Sequence, residues 1–168
     1  LLIGAFIPYQ IMIYPLVRMF ATAGMHNTLG AIVIVHVLFG IPILTLIFRN
    51  FYIGLPEELV KAARVDGAGF FQIYFMIIMP MSVNVFLVAD ILSITGVWND
   101  YLLGLIFAGP NFQPMTVSLA GLVGTQFGVP EYNVNMAATI MTALPPLLVY
   151  LLSGKYFVRG VTAGAVKG

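Results

Sequence analysis

Few side chains in this sequence could do chemistry, and the most unusual of them stands inside an apolar stretch. Asp90 lies ten residues after Pro80, in a run of apolar side chains that extends to Ala108. At about 1.5 Å of rise per residue, its carboxyl group would lie about 15 Å along a helix. An ionisable side chain at such a depth in a membrane is costly unless it is paired, so it is a candidate functional residue. We expect Asp90 to be buried between helices, where it lines a solute path or forms a structural hydrogen bond.

A second polar interruption of the same run consists of Trp98, Asn99 and Asp100. Helices that break within the membrane expose backbone and polar side chains to a cavity in many transporters. A neutral solute with hydroxyl groups needs hydrogen-bonding partners and can stack an apolar face on an aromatic ring, so this triplet could line a solute path. The alternative is an interfacial tryptophan with polar neighbours at the outer boundary of the span.

The two histidines are weaker candidates. His36 lies in the middle of an apolar stretch, where it could bind a proton or a solute, or be satisfied by a neighbouring helix. His26 lies in a turn, where we expect solvent to surround it. Two histidines do not make a metal site without further ligands, and the sequence contains no HExxH.

The remaining sequence carries no catalytic constellation. It has no cysteine, which excludes a disulfide, a thiolate metal site and a thiol nucleophile. It has no GxxxxGK followed by Ser or Thr, the loop that cradles nucleotide phosphates. We therefore expect the chain not to be an enzyme and to hold no cofactor or metal of its own. The net charge of +1 gives no reason to propose nucleic-acid binding.

The composition predicts the elements that position these side chains. Hydrophobic residues make up 61% of the sequence and charged residues 8%, whereas a soluble domain averages about 25% charged residues. Apolar stretches cover residues 1–21, 28–48, 80–108 and 132–152. We predict an all-α, polytopic integral membrane bundle with four or five spans, in one transmembrane domain over residues 1–168. Because the chain begins within an apolar stretch and without Met, we expect it to be truncated at the N-terminus.

A polar segment, residues 56–80, separates two of these stretches, and we call it the polar elbow. It contains five charged residues: Glu57, Glu58, Lys61, Arg64 and Asp66. One charge at the centre of a spanning helix costs roughly 2.5–3.5 kcal/mol on insertion scales, so the elbow must lie outside the bilayer. Pro56 suits the first position of a helix, and Gly67 permits the turn that ends it. Phe70 and Phe71 then begin a second helical segment, and both would be poorly placed unless a partner or a membrane surface covers them.

The residues KAARVDGAGFFQIYFMIIMP resemble the cytoplasmic signature loop of permeases of ATP-binding-cassette (ABC) importers, EAA, three residues, Gly, nine residues, Ile-x-Leu-Pro. Ala62, Ala63, Gly67, Ile77 and Pro80 occupy the matching places. Two positions depart from the pattern. Lys61 stands where the first Glu is usual, which reverses a charge that faces the partner, and Met79 replaces Leu.

The resemblance extends over nearly the whole chain and favours the sugar-importing, maltose-type branch. The segments that carry it are IPYQIMIYPL at residues 7–16, NTLGAIV from Asn27, GVWNDYL from Gly96, and the terminal KYFVRGVTAGAVKG. It implies a permease domain whose residues 56–80 form a coupling loop and whose residues 154–168 form a cytoplasmic tail. A permease for a solute other than a sugar, or an ion-coupled secondary carrier, remains an alternative.

The resemblance also implies partners. These are a second permease subunit, two nucleotide-binding ATPase subunits that bind ATP and Mg²⁺, an extracytoplasmic solute-binding protein, and the membrane lipid. The elbow residues implied to contact an ATPase subunit are Glu57, Glu58, Lys61, Ala62, Ala63, Asp66, Gly67, Phe70 and Phe71.

The distribution of basic residues predicts the orientation. Six of the seven basic residues fall on one side if four spans alternate, and only Arg18 does not. Cytoplasmic loops carry the excess of Lys and Arg, so the elbow and the tail are assigned to the cytoplasm of a prokaryote. Residues 109–131, with a modestly amphipathic segment at 116–123, then face outward.

Overall fold

The computed structural model describes residues 7–124 and 131–165, and it describes side chains for residues 7–122 and 131–154. The described residues form helices and the turns between them, which confirms the all-α prediction. The helices are α1 (Gln10–Thr22), α2 (Leu29–Ile53), α3 (Glu57–Val65), α4 (Phe70–Ile73), α5 (Met79–Met81), α6 (Val83–Trp98), α7 (Leu102–Phe107), α8 (Met115–Gly124) and α9 (Tyr132–Ala165). A π-helical segment, Tyr74–Ile78, connects α4 to α5.

Two of these helices are long and apolar enough to cross a membrane. They are α2, with 25 residues, and the Tyr132–Gly154 part of α9, with 23 residues. A third crossing is possible if Phe70–Met81 and Val83–Trp98 act together, although they are bent by 64° relative to each other. The described residues therefore give two or three spans rather than four or five. With 13 residues, α1 is too short to count among these spans.

The start of α2 follows from its sequence. The Thr28 side chain accepts a hydrogen bond from the Ala31 backbone N–H at 3.1 Å, which satisfies one of the donors left free at a helix N-terminus. The helix continues through Pro42 to Ile53, five residues beyond the predicted end. Similarly, α9 continues through Pro145 and Pro146. Membrane helices tolerate such prolines when neighbouring groups satisfy the freed carbonyl oxygens.

The main buried cluster joins α1, the first half of α2, and α7. Its members are Phe20, Ala31, Ile32, Val35, Leu103, Phe107 and Ala108. The rings of Phe20 and Phe107 meet edge to face with centroids 5.7 Å apart, a favourable geometry for aromatic pairs. The short helix α7 is thus held by α1 and α2 and not by the helix that precedes it in sequence.

The outer surface of the described chain is strongly apolar. Large apolar side chains are exposed along α2, as at Val33, Val37 and Ile41, and along α9, as at Leu148 and Leu151. Apolar surface on this scale is expected to be covered by lipid or by other proteins. The predicted tail begins as a continuation of α9, but its side chains lie outside the described residues.

Candidate functional site: the polar elbow and the broken helix

The first helix of the polar elbow, α3, is stabilised by its own charges. Glu57 and Glu58 lie in its first turn and Arg64 in its last, where each sign of charge complements the helix dipole. Lys61 Nζ lies 2.7 Å from Glu57 Oε2, one helical turn away, and both side chains are exposed. Pro56 precedes the helix as its N-cap, in an extended conformation, and is not the first helical residue.

The two faces of α3 differ in their surroundings. Ala63 is 7% exposed and lies against the rest of the chain. By contrast, Leu59, Ala62 and Val65 are exposed. The sequence placed Leu59, Ala62 and Ala63 on one side of the helix, but the structure divides them between an inner and an outer face. A partner that approaches from outside therefore meets Ala62 before it meets Ala63.

Gly67 ends this helix as predicted. Its φ of +81° lies in the left-handed region that residues with a side chain rarely adopt. The N–H of Gly67 donates to the Arg64 carbonyl oxygen at 3.1 Å, and the N–H of Ala68 donates to the Ala63 carbonyl oxygen at 2.9 Å. No atom lies within 4 Å of the position that a Cβ at Gly67 would occupy. The glycine is therefore required by the backbone conformation and not by the space around it.

Phe70 and Phe71 project from the elbow. They are 74% and 71% exposed, and their rings meet edge to face with centroids 5.4 Å apart. Phe75 and Met76, one turn further on, are also exposed. The Gln72 side chain accepts a hydrogen bond from the Gly69 N–H at 2.9 Å and so fixes the start of α4. The chain thus holds an exposed aromatic surface in a defined position at the side of α3.

The elbow joins α6 through a π-helical segment and a sharp bend at residue 82. Neither feature was predicted from the sequence. Ser82, at the bend, is fully buried, and its hydroxyl donates to the Ile78 carbonyl oxygen at 2.6 Å. The signal available in the sequence was Pro80. A proline has no N–H, and its ring clashes with the carbonyl group four residues earlier.

The second candidate region is the break between α6 and α7, residues 99–101, which we call the joint. The predicted interruption at Trp98, Asn99 and Asp100 is confirmed, because α6 ends at Trp98 and Asn99 is its exposed C-cap. The indole N–H of Trp98 donates to the Thr142 carbonyl oxygen at 2.9 Å and so attaches the end of α6 to α9.

Asp100 begins α7. Its carboxylate accepts hydrogen bonds from the backbone N–H groups of Leu103, at 3.3 Å, and Gly104, at 2.8 Å. The same carboxylate lies 3.7 Å from Nε2 of His36 on α2. Its backbone carbonyl oxygen accepts the hydroxyl of Thr116 on α8 at 2.5 Å. Asp100 therefore contacts α7, α2 and α8. The contacts with α2 and α8 join residues far apart in sequence, so the sequence pattern did not predict them.

Two glycines let the backbone approach closely around α7. A Cβ at Gly104 would lie 2.4 Å from Cγ of Pro114, and a Cβ at Gly109 would lie 2.7 Å from the carbonyl oxygen of Asn27. Gly109 also has a φ of +68°. Close contacts therefore hold α7 at its middle, against Pro114, and just beyond its end, against Asn27.

A groove of about 530 Å³ opens beside the joint. Trp98, His36 and Ser93 contribute its polar atoms, and the rest of its lining is apolar: Leu29, Ile32, Val33, Ile94, Val97, Phe112, Pro114 and Met115. Two flat aromatic residues, Trp98 and Phe112, and two residues with hydrogen-bonding side chains, His36 and Ser93, therefore line the same groove.

Comparison with known proteins identifies the family. Residues 1–163 match the family described as the inner membrane component of binding-protein-dependent transport systems. The chain belongs to this family. A probable ABC transporter permease protein of Pyrococcus horikoshii is 43% identical over 166 residues, which cover 98% of this chain and 60% of that protein.

Relatives with named solutes are also similar to this permease chain. The melibiose/raffinose/stachyose import permease protein of Bacillus subtilis is 35% identical over 96% of this chain and 59% of its own length. The xylose/arabinose import permease protein of Haloferax volcanii is 32% identical over 97% of this chain and 59% of its own length. The chain thus spans about three fifths of the length of these relatives. The resemblance stated from the sequence is confirmed, and the apolar helices agree with a location in a membrane.

Two expectations about polar residues of the permease are wrong. Asp90 is exposed and not buried between helices, and it has no hydrogen-bond or ion-pair partner within the described ranges. It follows Ala89, which is buried, and lies about 100° around α6 from it. His26 is not surrounded by solvent, because its Nε2 is buried without a partner among the described residues and its ring packs near Phe107, with centroids 6.4 Å apart.

Proposed function

We propose that this chain forms part of a membrane-spanning permease subunit of an ATP-driven ABC importer that carries a carbohydrate. The observation that carries this proposal is the polar elbow, in which Gly67 turns the chain and holds Phe70 and Phe71 exposed beside α3. A charged helix lies outside the apolar spans, and the exposed aromatic pair lies beyond it at the start of the bent segment that can form the third span. Their exposure supports a docking surface for a protein partner.

The partner at the elbow is one of two nucleotide-binding ATPase subunits, which bind ATP and Mg²⁺. The outer face of α3, with Leu59 and Ala62, enters a groove of the ATPase, and the aromatic pair covers its rim. Glu57, Glu58, Lys61, Asp66 and Gly67 complete the expected contact set, whereas Ala63 faces its own chain and is no longer expected to contact the ATPase. Because Lys61 is paired with Glu57 in its own helix, its reversed charge is partly compensated before a partner arrives.

Movement of the elbow reaches the membrane through α4, the π-helical segment and α6. Closure of the ATPase dimer moves α3 as a rigid lever, and the bend at Ser82 passes this motion to α6. The permease pair then alternates between inward-facing and outward-facing states. In this arrangement the elbow and the tail lie in the cytoplasm and the turn at His26 faces outward. A second permease subunit and an extracytoplasmic solute-binding protein complete the importer.

The solute class is proposed from the relatives and the groove. The relatives from Bacillus subtilis and Haloferax volcanii are named for the import of sugars. The groove beside the joint presents the ring of Trp98 with His36 and Ser93, a combination that suits a neutral, hydroxyl-bearing solute. We retain Asp90, Trp98 and Asn99 as the expected solute contacts of the path, and Asp100 as a residue that shapes the path through α7.

Transport by the reconstituted complex tests this function. The full-length permease is assembled with its second permease and ATPase subunits in proteoliposomes and supplied with its binding protein and a panel of radiolabelled sugars. We expect uptake of at least one sugar that requires ATP and does not respond to an imposed proton or sodium gradient. Uptake driven by an ion gradient without ATP would identify a secondary carrier, and ATP-dependent uptake of only non-sugar solutes would replace the solute class.

A further inference from the structure

The joint separates two contacts that hold the broken helix to different parts of the chain. Trp98, before the joint, is attached to α9 by the hydrogen bond to the Thr142 carbonyl oxygen. Asp100, two residues later, is attached to α7, α8 and α2. Between them Asn99 is exposed. The chain therefore passes from its contact with α9 to its contacts with α7, α8 and α2 across one exposed residue, Asn99.

The structure associates α7 with α2 at both ends. At one end, the Asp100 carboxylate caps α7 and approaches His36. At the other end, Phe107 and Ala108 are fully buried in the cluster that contains Ala31 and Val35 of α2. The preceding helix α6 packs against α9 and also against α2, where the rings of Phe48 and Phe86 meet with centroids 4.7 Å apart. The position of α7 on α2 therefore depends on its own contacts at these two ends.

We infer that Asp100 is a positioning residue of the transport cycle: its carboxylate caps the half-helix α7 and, with His36 as its neighbour, places α7 against the first half of α2. This inference rests on the proposed function. It differs from a solute contact, because the carboxylate oxygens of Asp100 already face two backbone N–H groups and the His36 ring. Asp100 acts by holding in position the part of the groove lining that α2 and the segment after α7 form together.

Variants of both partners separate a positioning role from a solute contact. Asp100→Ala leaves the N–H groups of Leu103 and Gly104 without their acceptor, whereas Asp100→Asn keeps an oxygen that can cap the helix. We expect Asp100→Ala to lower the maximal rate of ATP-dependent uptake about tenfold, because α7 loses the cap on two of its first N–H groups, with the half-saturating sugar concentration unchanged. We expect Asp100→Asn to recover much of that rate.

His36→Leu removes the partner on α2 and leaves the cap intact. We expect it to lower the maximal rate, and we expect the double variant His36→Leu with Asp100→Ala to be less impaired than the product of the two single effects, since both remove one interaction. Thr95→Val is the matched control, because the Thr95 hydroxyl bonds only to the backbone of its own helix at a similar level of α6.

The outcomes distinguish this inference from the proposed function. A wild-type complex without ATP-dependent uptake would overturn the proposed function, and the role of Asp100 with it. If the wild-type complex transports, a raised half-saturating sugar concentration in Asp100→Asn with an unchanged maximal rate would identify Asp100 as a solute contact. The inference would also be overturned if Asp100→Ala and His36→Leu took up sugar as fast as the control Thr95→Val. It would equally be overturned if the rate of the double variant were the product of the two single effects. If Asp100→Ala does not assemble, Asp100→Asn and His36→Leu decide the question by the same criteria.

Discussion

The hydroxyl groups of Ser82 and Tyr52 lie 3.4 Å apart and join the bend of the elbow to the end of α2. Ser82 is fully buried, and its hydroxyl donates to the Ile78 carbonyl oxygen, so the Ser82 oxygen is left to accept from the Tyr52 hydroxyl across two helices. A motion of α3 that reaches this bend would therefore act on both α2 and α6.

We predict that Ser82→Ala lowers the free energy of unfolding of the purified permease by about 1 kcal/mol, the net value of one hydrogen bond. Tyr52→Phe should add little once Ser82 is Ala, because the two hydroxyl groups share one contact. Thermal unfolding in detergent measures both effects. Thr22→Ala is the control, since the Thr22 hydroxyl makes an exposed bond to the Met19 carbonyl oxygen within α1. Strictly additive effects of the two variants would show that the hydroxyl groups are not coupled.

Gly67→Val should uncouple ATP hydrolysis from transport. At a φ of +81°, an L-residue costs about 1–2 kcal/mol, and a β-branched side chain costs more. The turn would therefore shift and displace Phe70 and Phe71 relative to α3. We expect the assembled complex to keep its ATPase activity and to lose sugar uptake.

Gly67→Asn is the matched control for this prediction. Asparagine tolerates the left-handed region, and no neighbouring atom obstructs a side chain at Gly67. We expect Gly67→Asn to transport better than Gly67→Val. Normal transport by Gly67→Val would remove the turn from the coupling mechanism.

A cysteine at Ala62 should cross-link to the ATPase subunit, and a cysteine at Ala63 should not. Ala62 is exposed on the outer face of α3, whereas Ala63 is 7% exposed and faces its own chain. The measurement is capture by a short bifunctional thiol reagent in the assembled complex, with a cysteine introduced on the groove of the ATPase. The sequence contains no cysteine of its own that could compete. Capture from Ala63 but not from Ala62 would place the other face of α3 toward the partner.

The sequence predicted best where one residue type has one physical consequence. Gly67 indicated a left-handed turn, and the polar triplet indicated where α6 ends. Burial could not be predicted in the same way, because the apolar run around Asp90 surrounds the whole helix and no period marks a preferred face. The approach of His36 to Asp100 joins residues far apart in sequence, and neither element alone contains a signal for it.

Asp90 provides a test of what covers α6. Its side chain is exposed, yet a carboxylate within an apolar helix is too costly to face lipid. We predict that it faces the water-filled solute path between the two permease subunits. A cysteine at Asp90 in the assembled transporter should then react with a membrane-impermeant, positively charged thiol reagent, and the reaction should slow when a transported sugar is present. Leu92 is the control, because it is an exposed apolar residue on the same helix and its cysteine variant should react slowly if it faces lipid. An unreactive cysteine at Asp90 would show that the second permease subunit covers this face of α6 and that the solute passes elsewhere.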